Sequence, residues 1–388
     1  MQERLSSAED RRVRLIHTSD WHVGKVFDFA GDRVMALLQQ ARLNAIAEIG
    51  KLAMAENART VLVAGDVYDR ESPDAKTLAE PLEVMRRFPT VAWHLIPGNH
   101  DPDLPGGLWR RLSSLGLPDN VHLQREASPV RLDERSWLLP APLRQRHGND
   151  DPTAWMDLAP TPEGQRRIGL AHGSIAEFGS TSPRPDRIAP DRAQKAGLAY
   201  LALGDWHGTK SINAQTWYAG TPEPDGFDQT ESGHALLVDL DGGRPIVTRH
   251  PTARYAWQEE TAALHDAGDI RRLEQRFRTA HADLSRLLLR LRVSGMLTLA
   301  EHDLFGQTIA ETGLAAALCL LDLDRQGLIV RPSEEELDRL SGDLVVKEAI
   351  RRLRAIAESA EHPDRPAASR AIQHLQLACH RRRREAAA

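Results

Sequence analysis

Five short polar clusters in this chain carry side chains that could bind metal ions. They follow one another in the order Asp20 and His22, Asp66, Asn99 and His100, His172, then Asp205 and His207. Any one such cluster is common in loops and surface turns, but their ordered combination makes coincidence improbable. Because carboxylate, amide and imidazole donors together suit divalent ions such as Mn2+, Fe2+ or Zn2+, the sequence predicts a metal centre.

The chemistry that such a centre could perform is hydrolytic phosphoryl transfer. Two divalent ions about 3.5–4 Å apart can activate the attacking water, neutralise the phosphoryl charge and stabilise the leaving group. Such a pair needs a bridging carboxylate. We assign the bridge to Asp66, since the adjacent Gly65 lets the backbone turn tightly. The predicted ligands of the first ion are then Asp20, His22 and His207, and those of the second are Asn99, His172 and Asp205.

His100 is predicted to be catalytic without binding metal. It follows Asn99 directly, and an imidazole so close to the ions could donate a proton to the leaving oxygen or clamp the phosphate. That role is favoured when a carboxylate holds the other ring nitrogen. Asp69 is the candidate for this orienting role, and Asp101 is the alternative.

The clusters follow short β-rich runs, which indicates an α/β domain. Residues 13–17, 60–64 and 91–96 are expected to be strands, and open α/β sheets bind ligands beyond the carboxyl ends of their strands. An apolar stripe of helical period predicts a helix over 33–56. A second helix is expected from Pro73, with Ser72 as its N-cap. If the backbone is extended, Asp20 and His22 point the same way.

Later segments complete the predicted organisation of the chain. Further strands are expected at 136–139, 167–171, 200–203 and 234–240, with a change in composition near Arg254. Beyond it the pattern predicts a helix at 267–282, strands at 287–293 and 318–330, and helices at 341–359 and 366–384. We therefore expect a catalytic domain over 1–254, a small α/β cap over 255–332 and a C-terminal helical segment over 333–388.

Composition excludes several classes of protein. The chain has 388 residues, of which 41% are hydrophobic, and a formal net charge of −5. Cys319 and Cys379 form no CxxC motif, which argues against a disulfide framework or a thiolate metal site and favours a reducing cytoplasm. No apolar run approaches the roughly 20 residues that span a bilayer, so we expect a soluble, cytoplasmic protein. A local groove can be basic despite the net charge.

Four motifs resemble those of SbcD-type (YhaO-like) DNA repair exonucleases of the calcineurin-like metallophosphoesterase superfamily. They are His17-Thr18-Ser19-Asp20-Trp21-His22-Val23-Gly24, Gly65-Asp66-Val67-Tyr68-Asp69, Gly98-Asn99-His100-Asp101 and Leu203-Gly204-Asp205-Trp206-His207. The resemblance covers residues 13–240 and implies a four-layer αββα sandwich. It also implies cleavage of DNA phosphodiesters with Mn2+, homodimerisation, and an SMC-like ATPase partner of the SbcC type.

One residue departs from that family pattern. The family usually has Gly-His-x-His where this chain has Gly204-Asp205-Trp206-His207. A carboxylate in place of an imidazole should favour Mn2+ or Mg2+ over Zn2+. The prediction is therefore two divalent ions, with Mn2+ preferred and Mg2+, Fe2+ or Zn2+ as alternatives.

The predicted function is metal-dependent exonucleolytic or endonucleolytic cleavage of DNA in double-strand-break repair, by a two-metal-activated hydroxide with His100 assisting. One alternative is a phosphatase or nucleotide phosphodiesterase acting on small substrates, because the same metal centre serves both. The other is a non-catalytic scaffold that recruits the ATPase to DNA. The C-terminal helices are a candidate docking segment for that ATPase, and the four arginines at 381–384 could contact DNA or remain solvated.

Overall fold

The computed structural model describes residues 13–378 apart from 147, 149, 176–186, 242, 331–343, 360, 361, 366, 369, 373, 376 and 377. The chain divides into two compact units, Met1–Ala256 and Trp257–Ala388. Among the described residues, no helix is both long enough and apolar enough to cross a membrane. Cys379, the arginines at 381–384 and much of the helix predicted at 366–384 lie outside the described residues.

Two six-stranded sheets form the first unit. In chain order its strands are β1 (Arg14–Thr18), β2 (Thr60–Val63), β3 (Ala92–Leu95), β4 (Val121–Leu123), β5 (Val130–Arg131), β6 (Ser136–Ala141), β7 (Arg166–His172), β8 (Tyr200–Gly204), β9 (Lys210–Ser211), β10 (Thr216–Tyr218), β11 (His234–Asp239) and β12 (Ile246–Pro251). The first sheet has the order β12-β11-β1-β2-β3-β4 and the second β5-β6-β7-β8-β10-β9. Strands β1 to β4 run parallel, as do β6, β7 and β8. Their carboxyl ends therefore share one edge within each sheet.

Helix α1 (Asp32–Ala55) connects β1 to β2 and agrees with the predicted crossover helix. Its buried residues include Leu38, Ile46 and Ile49, which recur at helical spacing. Full burial of a side chain of this size contributes about 1.5–3 kcal/mol. The stripe thus fixes which face of the helix meets the sheet.

Helix α2 (Ala75–Arg86) connects β2 to β3, and its predicted start was wrong. Ser72 is not the N-cap. The cap is Asp74, whose carboxylate accepts hydrogen bonds from the backbone N–H and the hydroxyl of Thr77, both at 2.9 Å. Aspartate caps a helix as well as serine does, and here the free N–H group of the first turn lies within reach of Asp74.

Apolar side chains alternate between the two faces of the first sheet. Ile16 and Val61 pack with residues of α1 and α2, whereas Leu15 and Leu62 pack against residues of the second sheet such as Ile168. The opposite face of the second sheet is covered by a 3-10 turn (Ala154–Leu158) and the short helix α4 (Arg192–Lys195), which follows α3 (Leu108–Ser114) in the chain. The three cores separate four layers, which confirms the predicted αββα sandwich.

The second unit contains a three-stranded sheet in the order β13-β14-β15. Its elements are β13 (Ala256–Leu264), α5 (Ala267–Ala280), β14 (Leu287–Leu297), α6 (Leu299–Ala315), β15 (Leu318–Val330) and α7 (Leu344–Glu358). Strands β14 and β15 are parallel, and Thr298 and Glu301 form a capping box at the start of α6. The further division at residue 332 into a cap and a helical segment stays a prediction.

Candidate metal centre

The structure brings the predicted site residues of both sheets to one place. Each is the last residue of a strand or lies in the loop that follows the strand, as the sequence predicted. Contacts between the sheets hold the loops together: the His172 ring contacts the Ala64 carbonyl at 2.8 Å, and the Asp205 N–H donates to the Asp20 carboxylate at 3.2 Å. Residues more than 100 positions apart in the chain therefore form one cluster.

The first group of candidate ligands is Asp20, His22 and His207. One ligand atom from each lies within 4.8 Å of the other two. His22 and Asp20 are fully buried, and the His22 and His207 rings lie 5.0 Å apart between centroids. This is the set that the sequence assigned to the first ion.

The second group is Asp20, Asp66 and His172, again with ligand atoms within 4.8 Å of one another. Asp66 Oδ2 lies 3.5 Å from His172 Nε2 and 3.6 Å from His22 Nε2. Asn99 adds its amide oxygen, which lies 2.6 Å from His172 Nε2. Asp66 thus lies between His22 and His172, the position that a bridging carboxylate requires.

Asp205 lies at the margin of the second group. Its Oδ1 is 3.9 Å from His172 Nε2, and its Oδ2 accepts a hydrogen bond from the Ser174 hydroxyl at 2.6 Å. Its side chain is 28% exposed, whereas that of His172 is fully buried. Of the seven predicted ligands, Asp205 has the most solvated carboxylate and faces the cavity described below.

His100 lies beside both groups, but Asp69 does not orient it in the way that the sequence suggested. His100 Nδ1 contacts the backbone carbonyl of Asp69 at 3.1 Å. The Asp69 carboxylate instead lies 3.3 Å from Nδ1 of His22. The reason is the fold of the loop, in which the Asp69 N–H bonds the Val23 carbonyl at 3.1 Å and draws this loop towards the loop of His22. Asp101, the alternative partner, accepts from the N–H groups of Tyr68 and Gly98.

The backbone at the site is strained. Asp20, His22 and Asp66 have φ angles of 53°, 44° and 50°, and that of Asp205 is 105°. Such left-handed conformations cost about 1–3 kcal/mol per non-glycine residue and persist where surrounding structure enforces them. An extended backbone, the condition under which Asp20 and His22 would point the same way, is therefore not met: the turn after β1 is left-handed at both ligands.

Two glycines let the loops approach closely. A Cβ at Gly65 would collide with the His172 ring, and one at Gly98 would collide with Asp66 Oδ1 and its backbone nitrogen. Gly65 also has a φ of 83°. Only glycine fits both positions, since the space that a side chain would need is taken by candidate ligands.

The electrostatics of the site couple carboxylates to imidazoles. Burial raises the pKa of Asp20, and the charge of Asp66 adds to that effect while His207 and His172 oppose it. Burial would lower the pKa of His172, but Asp66, Asp20 and Asp205 outweigh it and raise this pKa to about 9. Burial lowers the pKa of His22. Several negative charges are thus held together out of water, which a bound cation would stabilise.

The donor set fits divalent cations. Nε2 of the buried His22 lacks a hydrogen-bond partner among the described residues, and an unsatisfied buried nitrogen is costly unless something binds it. The His172 ring contacts a backbone carbonyl through Nδ1, the arrangement that typically orients a metal-binding histidine through its other nitrogen. The residues can therefore hold two cations, one on each side of Asp66.

Three neighbouring residues escaped the sequence analysis. The Ser19 hydroxyl donates to Asp20 Oδ2 at 2.6 Å, Ser174 contacts Asp205 as described, and Asp225 lies 3.2 Å from Nδ1 of His207. Ser19 and Ser174 lie within two positions of predicted ligands, so proximity was an available signal. Asp225 lies 18 positions from its partner, and no local pattern links them.

The chain is similar to a known family and to several known proteins. The family model for calcineurin-like phosphoesterase matches residues 13–209. The chain is 28% identical over 279 residues to the SbcD component of nuclease SbcCD from Rhodobacter capsulatus, covering 60% of this chain and 67% of that protein. It is 22% identical over 262 residues to the DNA double-strand break repair protein Mre11 of Saccharolobus solfataricus, covering 61% and 62%. A Methanosarcina mazei Mre11 is 22% identical over 289 residues, covering 72% and 44%.

Among solved structures, TT1561 of Thermus thermophilus aligns over 61% of this chain and 99% of that chain, with a TM-score of 0.40 and 12% identity. The chain spans between 44% and 67% of the length of the three curated relatives. The family match covers just over half of the chain, including β1 to β8 and every candidate ligand. The chain therefore belongs to the calcineurin-like phosphoesterase family.

Proposed function

We propose that this protein is a metal-dependent DNA phosphodiesterase that acts in the repair of double-strand breaks. The observation that carries the proposal is the position of His100 beside the Asp66-centred ligand groups. The His100 N–H donates to Asp66 Oδ1 at 2.8 Å, and its ring lies 4.7 Å from that of His22. His22, Asp69 and His100 also have ligand atoms within 4.8 Å of one another, but we assign His100 to proton transfer, because phosphoester hydrolysis needs an imidazole next to its cations and a scaffold does not.

Two bound divalent cations would neutralise charge on the phosphoryl group. They would also lower the pKa of water, so that it could lose a proton and attack the phosphorus. The protein supplies the rest. Asp66 lies between the two ligand groups, because its Oδ2 is near both His22 and His172. The backbone N–H of His100 donates to Oδ1 and so orients this carboxylate. Asp20, His22, Asp66 and His172 are buried and so are kept from bulk water.

His100 has a defined tautomer in this arrangement. A backbone carbonyl only accepts hydrogen bonds, so the contact of Nδ1 with the Asp69 carbonyl assigns the proton to Nδ1. Nε2 is then the free end of the ring. When protonated, it can give its proton to the leaving oxygen of the substrate, and it can then recover the proton from solvent.

The surroundings of the site favour a polyanionic substrate. A cavity of about 470 Å3 opens beside the second ligand group, with Asn99, His172 and Asp205 on one wall. Arg144, Arg146 and Arg187 also line it. Guanidinium groups bind phosphates in a bidentate manner, so this cavity suits the backbone of a nucleic acid better than an isolated small ester. The similarity to the SbcD component of SbcCD and to Mre11 supports the same substrate class.

The proposal extends to the metal, the oligomeric state and the partner of this protein. Mn2+ is the preferred metal, the protein forms a homodimer, and an SMC-like ATPase acts with it in the cytoplasm. The names of the curated relatives support the association with double-strand-break repair, and the nuclease name of the Rhodobacter protein supports DNA cleavage.

A substrate panel tests the proposal. Purified protein with Mn2+ is offered linear duplex DNA, single-stranded DNA and a chromogenic bis-phosphoester, beside His100→Ala and the exposed control His374→Ala. We expect DNA cleavage by the wild type and the control but not by His100→Ala. Hydrolysis of the small ester without cleavage of either DNA would favour the small-substrate alternative. Absence of any hydrolysis despite bound Mn2+ would favour the scaffold.

A further inference from the structure

A buried carboxylate outside the ligand set gathers three basic side chains. Asp225 lies in the loop between β10 and β11, and its side chain is fully buried. Its Oδ1 lies 3.2 Å from Nδ1 of His207, and its Oδ2 lies 2.6 Å from Nζ of Lys25 and 2.9 Å from Nη2 of Arg42. A single acidic residue thus connects a candidate ligand to two cationic groups.

Arg42 extends this connection to the other part of the first ligand group. It is only 2% exposed, although it lies in the middle of α1 among apolar neighbours. Its Nη1 donates to the backbone carbonyl of Trp21 at 2.7 Å. Trp21 is the residue between Asp20 and His22. Arg42 therefore holds the peptide of the Asp-x-His motif with one nitrogen and Asp225 with the other.

A contribution to stability alone does not explain this arrangement well. Burying an arginine and an aspartate costs desolvation energy that the ion pair often only offsets, and apolar residues of similar volume commonly serve the fold as well. The ion pair is also placed where β1, α1 and the loop before β11 converge on the first ligand group. The desolvation energy of this ion pair is better explained if the pair positions the residues of the first ligand group.

The contact between Asp225 and His207 shows which side chain is positioned. Lys25 and Arg42, at 2.6 and 2.9 Å from Oδ2, are the cationic partners that an ionised carboxylate at Asp225 needs. An ionised Asp225 accepts the proton of His207 Nδ1, which leaves Nε2 as the nitrogen with a free lone pair. A carboxylate behind a metal-binding histidine fixes the ring orientation and raises its basicity. Gln229 holds Asp225 itself, because its Oε1 accepts a hydrogen bond from the Asp225 backbone N–H at 3.0 Å.

We propose that Asp225 and Arg42 are positioning residues that assemble the first cation site. Asp225 orients His207. Arg42 contacts both Asp225 and the Trp21 carbonyl, and so connects His207 to the backbone between Asp20 and His22. The inference rests on the proposed function for its use of cations, but it concerns cation affinity and not the identity of the substrate. Asp20 belongs to both ligand groups, but Asn99 and His172 lie outside these contacts, and the Asp225 carboxylate contacts only His207 among the candidate ligands.

Calorimetric titration of the metal-free protein with Mn2+ tests the proposal. Asp225→Asn keeps the shape of the side chain but removes its charge, and we expect one Mn2+ site to weaken by about 10- to 100-fold while the other stays within about twofold. Arg42→Lys keeps the charge but cannot hold both Trp21 and Asp225, so it should weaken the same site and is the variant to use if Asp225→Asn does not fold.

Asp151→Asn is the matched control. Like Asp225, Asp151 is an aspartate paired with an arginine, at 2.8 Å from Arg192, although its side chain is 15% exposed. It is expected to lower thermal stability without changing either Mn2+ affinity. If Asp225→Asn or Arg42→Lys behaves like this control, with a lower Tm and two unchanged sites, the positioning role is wrong. Cleavage of DNA by the wild type is measured separately, so a protein that binds two ions but cuts no DNA contradicts the proposed function alone.

Discussion

The carboxylate of Asp69 faces His22, with Oδ1 at 3.3 Å from Nδ1 of that ring. Burial alone would raise the pKa of Asp69, but the neighbouring His22 outweighs this effect, so the pKa of the carboxyl group lies below its ordinary value. Asp69 is thus placed to orient a ligand of the first cation. Its backbone carbonyl, which no substitution removes, is the group that reaches His100.

This division of roles predicts different defects for Asp69 and His100. Asp69→Ala should weaken Mn2+ binding by about tenfold, because His22 loses its orienting partner. His100→Ala should leave Mn2+ affinity within about twofold but lower kcat by about a hundred- to ten-thousand-fold, because proton transfer is lost. Calorimetry and steady-state kinetics with the bis-phosphoester separate the two effects. Equal losses of affinity in both variants would contradict the assignment.

The arginine-lined cavity predicts a substrate-specific defect. Charge reversal in Arg144→Glu combined with Arg146→Glu should lower kcat/KM for duplex DNA by at least about tenfold and flatten its dependence on salt, because fewer counterions are released on binding. Hydrolysis of the small bis-phosphoester should change by less than about threefold, since it needs few phosphate contacts. Arg110→Glu, an exposed arginine on α3, is the control. A parallel loss on both substrates would mean that the variant damages the metal centre.

Asp205 predicts a metal preference. A carboxylate is a harder ligand than an imidazole, so the wild type should prefer Mn2+ or Mg2+, and Asp205→His should shift the preference towards Zn2+ by about tenfold. Competitive titration of Mn2+ against Zn2+ in both proteins measures the shift. Ser174→Ala is a useful companion, because it removes the hydroxyl that holds Asp205 Oδ2. Identical metal preference in wild type and Asp205→His would show that Asp205 is not a ligand.

Asp151 predicts how stability responds to acid. Burial raises its pKa, but hydrogen bonds from Thr153 and Arg192 more than offset this effect, so the pKa of Asp151 is lowered in the folded protein. The stability that it contributes is present above the unfolded-state pKa of about 3.9 and is lost as pH falls through the lower folded-state value. The difference in unfolding free energy between wild type and Asp151→Asn should therefore be full at neutral pH and shrink below about pH 4. Urea unfolding across this range measures it, and a difference that grows in acid would contradict the sign.

Much of the fold could be read from local sequence, because its signals are local. The apolar run before Asp20 and the one before Asp66 are short, bounded by polar clusters and buried on both faces, as the strands of a covered sheet must be. The position of a ligand after such a strand then follows from the chain itself. The helical stripe of α1 is similarly local, and its bounds differ from the predicted ones by a single residue at each end.

The remaining features depend on distant parts of the chain. The left-handed backbone at Asp20 and His22 is enforced by hydrogen bonds to the carbonyls of Gly65 and Asp66, which the spacing of Asp-x-His does not reveal. The direction of the Asp69 carboxylate depends on the same pairing of loops. Arg42 could have drawn notice as a charge on the apolar stripe of α1, but its partner Asp225 lies on a loop whose position only the assembled sheets define.

Crystals grown with Mn2+ test the central claim most directly, through the anomalous scattering of the metal. The predicted result is two peaks about 3.5–4 Å apart, one on each side of Asp66, with the first beside His22 and His207 and the second beside Asn99 and His172. A single peak, or two peaks that Asp66 does not bridge, would contradict the account.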